Sequence, residues 1–157
     1  MFLYNLTLQA PTAVSTAILG HFSGGKHQEV VVARQQFLEL WRPDTATGKL
    51  VVEHSENLFC RVRSLAAFRL TGGSKDYIVL GSDAGALSLL EFDTRGKRFV
   101  AVQYHEFGRT GLRRQIPGQY VAADPRGRAV MVAGVERTKI VYVVTRDAAA
   151  NVMIQSP

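Results

Sequence analysis

The side chains able to carry chemistry are few, and their spacing argues against most of what they could do. Four histidines, His21, His27, His54 and His105, stand far apart, and none has a second histidine four residues on, the spacing that puts two imidazoles on one helical face around a metal. Each is expected to be a structural or solvated ring, with no metal and no cofactor bound. A single cysteine, Cys60, excludes an internal disulfide and a cysteine-built zinc site, and fits a reducing compartment. Gly72-Gly73 and Gly81…Gly85 lack the Gly-Lys-Ser/Thr ending of a phosphate-cradling loop and read as turn glycines. No Gly-x-Ser-x-Gly nucleophile elbow is present. Asp83, Asp93, Asp124 and Asp147 fall in expected turns, where an aspartate accepts hydrogen bonds from its own backbone. Trp41 sits in a strand-like run and is assigned to packing.

One basic segment stands apart. His105-Glu106-Phe107-Gly108-Arg109-Thr110-Gly111-Leu112-Arg113-Arg114-Gln115-Ile116-Pro117-Gly118 carries Arg109, Arg113 and Arg114 and no acid after Glu106. Long links in compact folds are often functional, and guanidinium groups suit planar recognition of carboxylates and phosphates. Arg109, Arg113 and Arg114 are therefore candidate partner-binding residues. The other reading is a solvated link, or arginines paired with acidic turns nearby. Binding of single-stranded nucleic acid would want aromatic rings among the cations, and 108–116 has none.

Something must position these residues, and composition bounds what. The 157 residues are 46% hydrophobic and 20% charged, with a formal net charge of +6. That is ordinary for one globular domain and excludes a collagen, a coiled coil and a disordered tail. The positive balance permits an acidic partner without requiring one. No apolar run approaches the roughly 18 residues of a membrane helix, and Met1-Phe2-Leu3-Tyr4-Asn5-Leu6 lacks the basic start of a signal peptide. No membrane association is expected. Asn5-Leu6-Thr7 fits the glycosylation pattern but follows no secretory signal.

Nearly every apolar segment is short, rich in Val, Ile, Leu, Phe and Tyr, and bounded by Gly, Pro, Asp or Ser, which is a strand signature. No window of 12 or more residues shows a clean helical stripe; Ser64 to Leu70 admits a short helix but lies between strand-like segments. Glu29–Ala33, Tyr77–Leu80 and Ala129–Ala133 are continuous apolar runs, which imply strands covered on both faces. Each leads through a turn into a second apolar segment: Phe37–Trp41, Ala86–Leu90 and Ile140–Val144. Phe37 to Ala86 is an offset of 49, and Leu87 to Ile140 one of 53. Gly48-Lys49 and Gly96-Lys97 then precede Leu50–His54 and Arg98–Val102, an offset of 48. A leading strand fits at Val14–Leu19, Arg63–Phe68 and Gln119–Ala123.

The chain thus reads as all-β, with four antiparallel strands per unit and a period near 50, the organisation of a β-propeller. The units are 13–56, 60–107 and 118–157, the third ending as its last strand begins, with an orphan strand at 2–9. About three blades cannot close a ring, since propellers typically need at least four. The expectation is the N-terminal piece of a longer protein, in which 2–9 completes the last blade. A ring could also gather turn carboxylates on its axis, as in propeller glycosidases, but no converging set of acids or histidines is apparent.

Certain stretches are more specific than the repeat. Met1–Gln9, Ala67–Val79 (Ala-Phe-Arg-Leu-Thr-Gly-Gly-Ser-Lys-Asp-Tyr-Ile-Val), Arg113–Gln119 (Arg-Arg-Gln-Ile-Pro-Gly-Gln), Asp124–Met131 and Arg146–Ala150 resemble the N-terminal region of the splicing factor 3b subunit 3 family of three-propeller scaffolds. The similarity covers essentially the whole chain, with departures at 33–37 and 44–58. The resemblance implies a WD40-like, seven-bladed first propeller of a nuclear, non-catalytic scaffold. It implies membership of the splicing factor 3b complex in the U2 small nuclear ribonucleoprotein, which helps recognise the intron branch site in precursor messenger RNA. The implied partners are the HEAT-repeat subunit and small subunits of that complex, with RNA reached indirectly through it and no small-molecule substrate. The alternative is a paralogous propeller scaffold, of a DNA-repair ubiquitin ligase or of the mRNA cleavage and polyadenylation machinery. The opening nine residues and Arg113–Gln119 favour the first.

Overall fold

Short β-branched and aliphatic runs separated by turn formers produce twelve strands and no helix among the described residues of the computed structural model, which are 4, 6, 8–108, 118–135, 138–146 and 152–155. The strands are β1 Thr16–Gly20, β2 Glu29–Arg34, β3 Phe37–Pro43, β4 Leu50–Asn57, β5 Val62–Arg69, β6 Asp76–Ser82, β7 Ala86–Asp93, β8 Arg98–Glu106, β9 Val121–Ala123, β10 Ala129–Val135, β11 Thr138–Arg146 and β12 Val152–Gln155. Ser64 to Leu70, which admitted a helix, falls within and just beyond β5. Each group of four consecutive strands forms an antiparallel meander: sheet I from β1 to β4, sheet II from β5 to β8 and sheet III from β9 to β12. The ring is not closed. The third unit does carry a fourth strand: β12 pairs Val152 with Arg146 through to Gln155 with Val143, where the sequence reading had that strand only beginning. Of residues 2–9, the expected orphan strand, only 4, 6, 8 and 9 are described, and none lies in a strand.

The sheets stack face to face. First strands line up, β1 beside β5 and β5 beside β9, while β4, β8 and β12 meet at the outer edge. One apolar core fills the seam between sheets I and II, with Phe22, Val31, Leu38 and Leu40 against Leu65, Ile78, Leu80, Leu90, Phe92 and Phe99. A second fills the seam between II and III, with Phe68, Val79, Leu87 and Leu89 against Val130, Val132, Tyr142, Val152 and Ile154. This explains the continuous apolar runs. In β6, Ile78 and Leu80 serve the first core and Val79 the second, so alternation by face leaves no polar side.

Pairing corrects two of the offsets. Ile78 pairs with Leu90, and Val130 with Tyr142. Leu90 and Tyr142 both face the preceding sheet, whereas Leu87 faces the following sheet and Ile140 the preceding one. The second offset is therefore 52 and not 53, because a slip of one residue exchanges the faces of a strand. In the outer strands, Pro43 pairs with Leu50 and Phe92 with Phe99, which makes that offset 49 and not 48. Gly48 (φ 68°) therefore corresponds to Lys97 (φ 47°) and not to Gly96. Both occupy a left-handed turn position, and glycine does so without a Cβ penalty. The same bulge recurs in both sheets, with the register shifting between Leu40 and Trp41 and between Leu89 and Leu90.

Candidate interaction surface

Some of the polar side chains singled out in the sequence, His21, His54 and His105 among them, lie in the contacts between sheets. At the inner end of the first seam, Asp76 is 8% exposed and lies opposite Arg69 across β5 and β6. Arg69 donates Nε–H to Asp76 Oδ1 at 2.8 Å and Nη2–H to Oδ2 at 2.9 Å. The backbone N–H of His21, in the connection after β1, donates to Oδ2 at 2.6 Å. Burial pushes the Asp76 carboxyl up, but the Arg69 bonds and the His21 N–H outweigh it and hold it below the ordinary carboxylate range. Arg69 Nη2 also lies 2.9 Å from His21 Nδ1. A guanidinium only donates, so Nδ1 accepts and the ring proton sits on Nε2. Gly20 makes the approach possible, since a Cβ there would stand 2.8 Å from the Phe22 ring and 2.9 Å from Asp76 Oδ2.

A second buried acid, Glu29 at 1% exposure, accepts from Ser23 N–H and Oγ–H and from Arg42 Nε and Nη2. Arg42 continues to Glu53 at 3.7 Å, and Glu53 to Lys97 of sheet II at 3.1 Å. The Lys97 bond, opposed by burial and aided by Arg42, holds the Glu53 carboxyl below its usual range.

At the outer edge the two seams share one device. Glu56 Oε2 accepts the Phe99 N–H at 3.2 Å, and the His54 ring packs on Phe92 and Phe99 with centroids 6.1 and 5.7 Å apart. One unit on, Gln103 Oε1 accepts the Ile154 N–H, and the His105 ring packs 5.2 Å from the Tyr142 ring. An offset of 49 maps His54 onto Gln103 and Glu56 onto His105, so acceptor and ring exchange places between units. The sequence reading missed this joint; the repeat, carried to the outer strands in correct register, contains it. Three histidines thus sit in seams, and His27 is exposed. Among the described residues no group of three or more His, Cys, Asp or Glu could hold a metal.

Of the turn aspartates, Asp93 accepts from Arg95 N–H and Asp124 from Arg126 N–H within their own turns. Asp83 instead accepts from Arg61 N–H, in the link from sheet I, and pairs with Arg63 at 3.7 Å. Asp147 lies outside the described residues, as do Arg109, Arg113 and Arg114. Cys60 is half-buried beside a cavity of about 270 Å³, and burial, opposed by the Ser82 hydroxyl, pushes its thiol up, away from the reactive thiolate. Trp41 packs less deeply than expected. It is half-buried, donates Nε1–H to Glu39 at 2.9 Å, and has the Arg34 guanidinium 5.4 Å from its ring centroid.

The outer faces of the stack remain available to a partner. Leu19, Leu50 and Val52 of sheet I are 64%, 53% and 42% exposed, and Val141 and Val143 of sheet III are 41% and 46% exposed. In sheet II the equivalent rows are covered on both sides.

Comparison with known proteins agrees with this architecture. The chain is 52% identical over its full 157 residues to splicing factor 3B subunit 3 of Danio rerio, and 51% identical to pre-mRNA-splicing factor RSE1 of Mycosarcoma maydis. It is 52% identical to spliceosome-associated protein 130 A of Arabidopsis thaliana. It spans about 13% of the length of these relatives. Residues 13–157 match the family described as the RSE1/DDB1/CPSF1 first beta-propeller. The repeated four-stranded meander, stacked with one core per seam, is the blade arrangement of that domain, and the chain belongs to the RSE1/DDB1/CPSF1 first β-propeller family.

Proposed function

We propose that this chain contributes the first blades of a non-catalytic scaffold subunit of the splicing factor 3b complex, in the U2 small nuclear ribonucleoprotein. In this reading it acts in the nucleus and supports branch-site recognition by holding the HEAT-repeat subunit and small subunits, with RNA reached through the complex. The observation that carries the reading is identity of about half, over every residue of the chain, to proteins named as splicing factors. The structure supports a holding role, because its buried carboxylates are spent on structural bonds, Glu29 and Glu39 within sheet I and Asp76 between sheets I and II. The exposed apolar faces of sheets I and III are where further blades of a longer chain would pack, completing a seven-bladed ring with 2–9 in its last blade. The relatives' names favour splicing over a repair or polyadenylation scaffold.

Arg109, Arg113 and Arg114 are proposed to dock the propeller on a partner subunit or on another propeller of the same protein. A charge-assisted bond to a desolvated carboxylate is worth roughly 1.5–3 kcal/mol and an exposed pair about 0–1 kcal/mol, so burial decides the matter. The test is co-purification of the HEAT-repeat and small subunits with the tagged full-length protein, wild type and Arg113→Ala/Arg114→Ala. Wild type is expected to recover them, and the variant to recover less, with altered salt sensitivity. Unchanged recovery by the variant removes the arginines from the interface. Failure of wild type to recover those subunits refutes the splicing reading.

A further inference from the structure

At the end of the stack where β5, β9 and β11 approach one another, a cleft of about 220 Å³ opens on the seam between sheets II and III. Arg128 and Arg146 flank it, Thr71 and Thr145 lie at its rim, and Leu70 and Val144 add apolar wall. Among the described residues no acid lines it. Gly127 sets its depth. It holds φ 67°, and a Cβ there would fall 2.1 Å from the Arg69 carbonyl oxygen, so only glycine lets the β9–β10 turn press this closely on β5. Both arginines are braced. Arg128 Nε–H donates to Asp124 Oδ2 at 2.6 Å, and Arg146 Nη2–H donates to the Thr71 carbonyl at 2.8 Å across the seam. Toward the described residues these bonds use one donor on each of two five-donor groups.

We propose that this cleft receives a carboxylate side chain from an acidic protein segment laid across the seam. Two pre-oriented guanidinium groups, with no acid among the described residues that line the cleft, form a receptor for an oxyanion. The apolar wall and the modest volume suit one Asp or Glu side chain. A nucleotide would bring a base, and among the described residues no aromatic side chain lines the cleft to stack on it. This assignment concerns the seam itself and holds independently of the splicing reading.

The test uses the full-length protein and a fluorescent hexaglutamate peptide, with oligouridylate as the competing class. Arg128→Ala/Arg146→Ala is expected to weaken peptide binding by about tenfold or more. Because that variant also loosens the seam, Thr71→Glu provides the second arm: it keeps both arginines and places a carboxylate at the rim, and is expected to weaken the peptide by a similar factor. Lys49→Ala, in the exposed β3–β4 turn of sheet I and so outside the seam between sheets II and III, is expected to stay within about twofold. Peptide affinity unchanged in Thr71→Glu overturns the proposal. Loss of oligouridylate affinity in the same variants, with peptide affinity retained, also overturns it and assigns the cleft to nucleic acid.

Discussion

Single residues decide whether the seams close. Asp76 is the clearest case, since its charge is held between Arg69 and the His21 backbone N–H in a nearly dry seam. Its carboxyl titrates below the ordinary range, so the folded state binds its proton less readily than the unfolded chain does. The stabilisation is fully present above the unfolded value of about 3.9 and is lost as pH falls through the lower folded value. Asp76→Asn is therefore expected to cost roughly 1.5–3 kcal/mol at neutral pH. The gap from wild type should narrow below about pH 4, measured by denaturant unfolding of the full-length protein across pH. Gly81 tests steric closure. Its φ is ordinary, but a Cβ there would meet the Gly118 carbonyl oxygen at 2.5 Å and Ser64 Oγ at 2.7 Å. Ser64 Oγ–H also donates to that carbonyl at 2.6 Å, so the link into sheet III has no room to retreat. Gly81→Ala is expected to destabilise by roughly 1–3 kcal/mol or more, seen as a lowered denaturation midpoint with unchanged slope.

Among elements, the outer strands couple one sheet to the next. β4 reaches β8 through Glu56 and β8 reaches β12 through Gln103, each taking up a backbone N–H at an edge that otherwise lacks a partner. Removing either acceptor strands that N–H. Glu56→Ala and Gln103→Ala are each expected to cost about 0.5–1.5 kcal/mol. The double variant should be nearly additive, because the two joints lie in different seams. Amide hydrogen exchange gives the sharper readout: Phe99 should lose protection in the first variant and Ile154 in the second, each without the other.

For the whole molecule, the controlling fact is two outer sheet faces with exposed aliphatic rows, Leu19, Leu50 and Val52 on one and Val141 and Val143 on the other. Sheet II shows what such rows need, with a core on each side. Contiguous apolar surface and unpaired strand edges drive association in water. The 157-residue chain expressed alone is expected to self-associate or melt broadly, and to bind a hydrophobic dye. Light scattering and calorimetry decide this. A monomer with one sharp transition would show that the three sheets suffice.

The strands, their grouping in fours and the period near 50 were legible because each rests on local chemistry: β-branched runs, turn residues, and apolar runs of the kind that two-sided burial demands, a burial observed in β6. Stretches such as Arg113–Gln119 carried the family resemblance directly. Register was not legible to one residue. Gly96-Lys97 looks like Gly48-Lys49, yet the left-handed position falls on Lys97, because backbone pairing and bulges, not residue identity, set the count. The joints were hidden for a related reason. Their donors and acceptors lie 43 and 51 positions apart and belong to different sheets, so nothing local links His54, Glu56, Gln103 or His105 to its target. Nor does anything local bring Arg128 and Arg146 to one cleft with Thr71. Sequence by itself determined which segments could be strands and how often the unit repeats, since propensity and periodicity act along the chain. Only the tertiary structure decided which charged groups are spent between sheets and which face open space, because that depends on how the sheets stack.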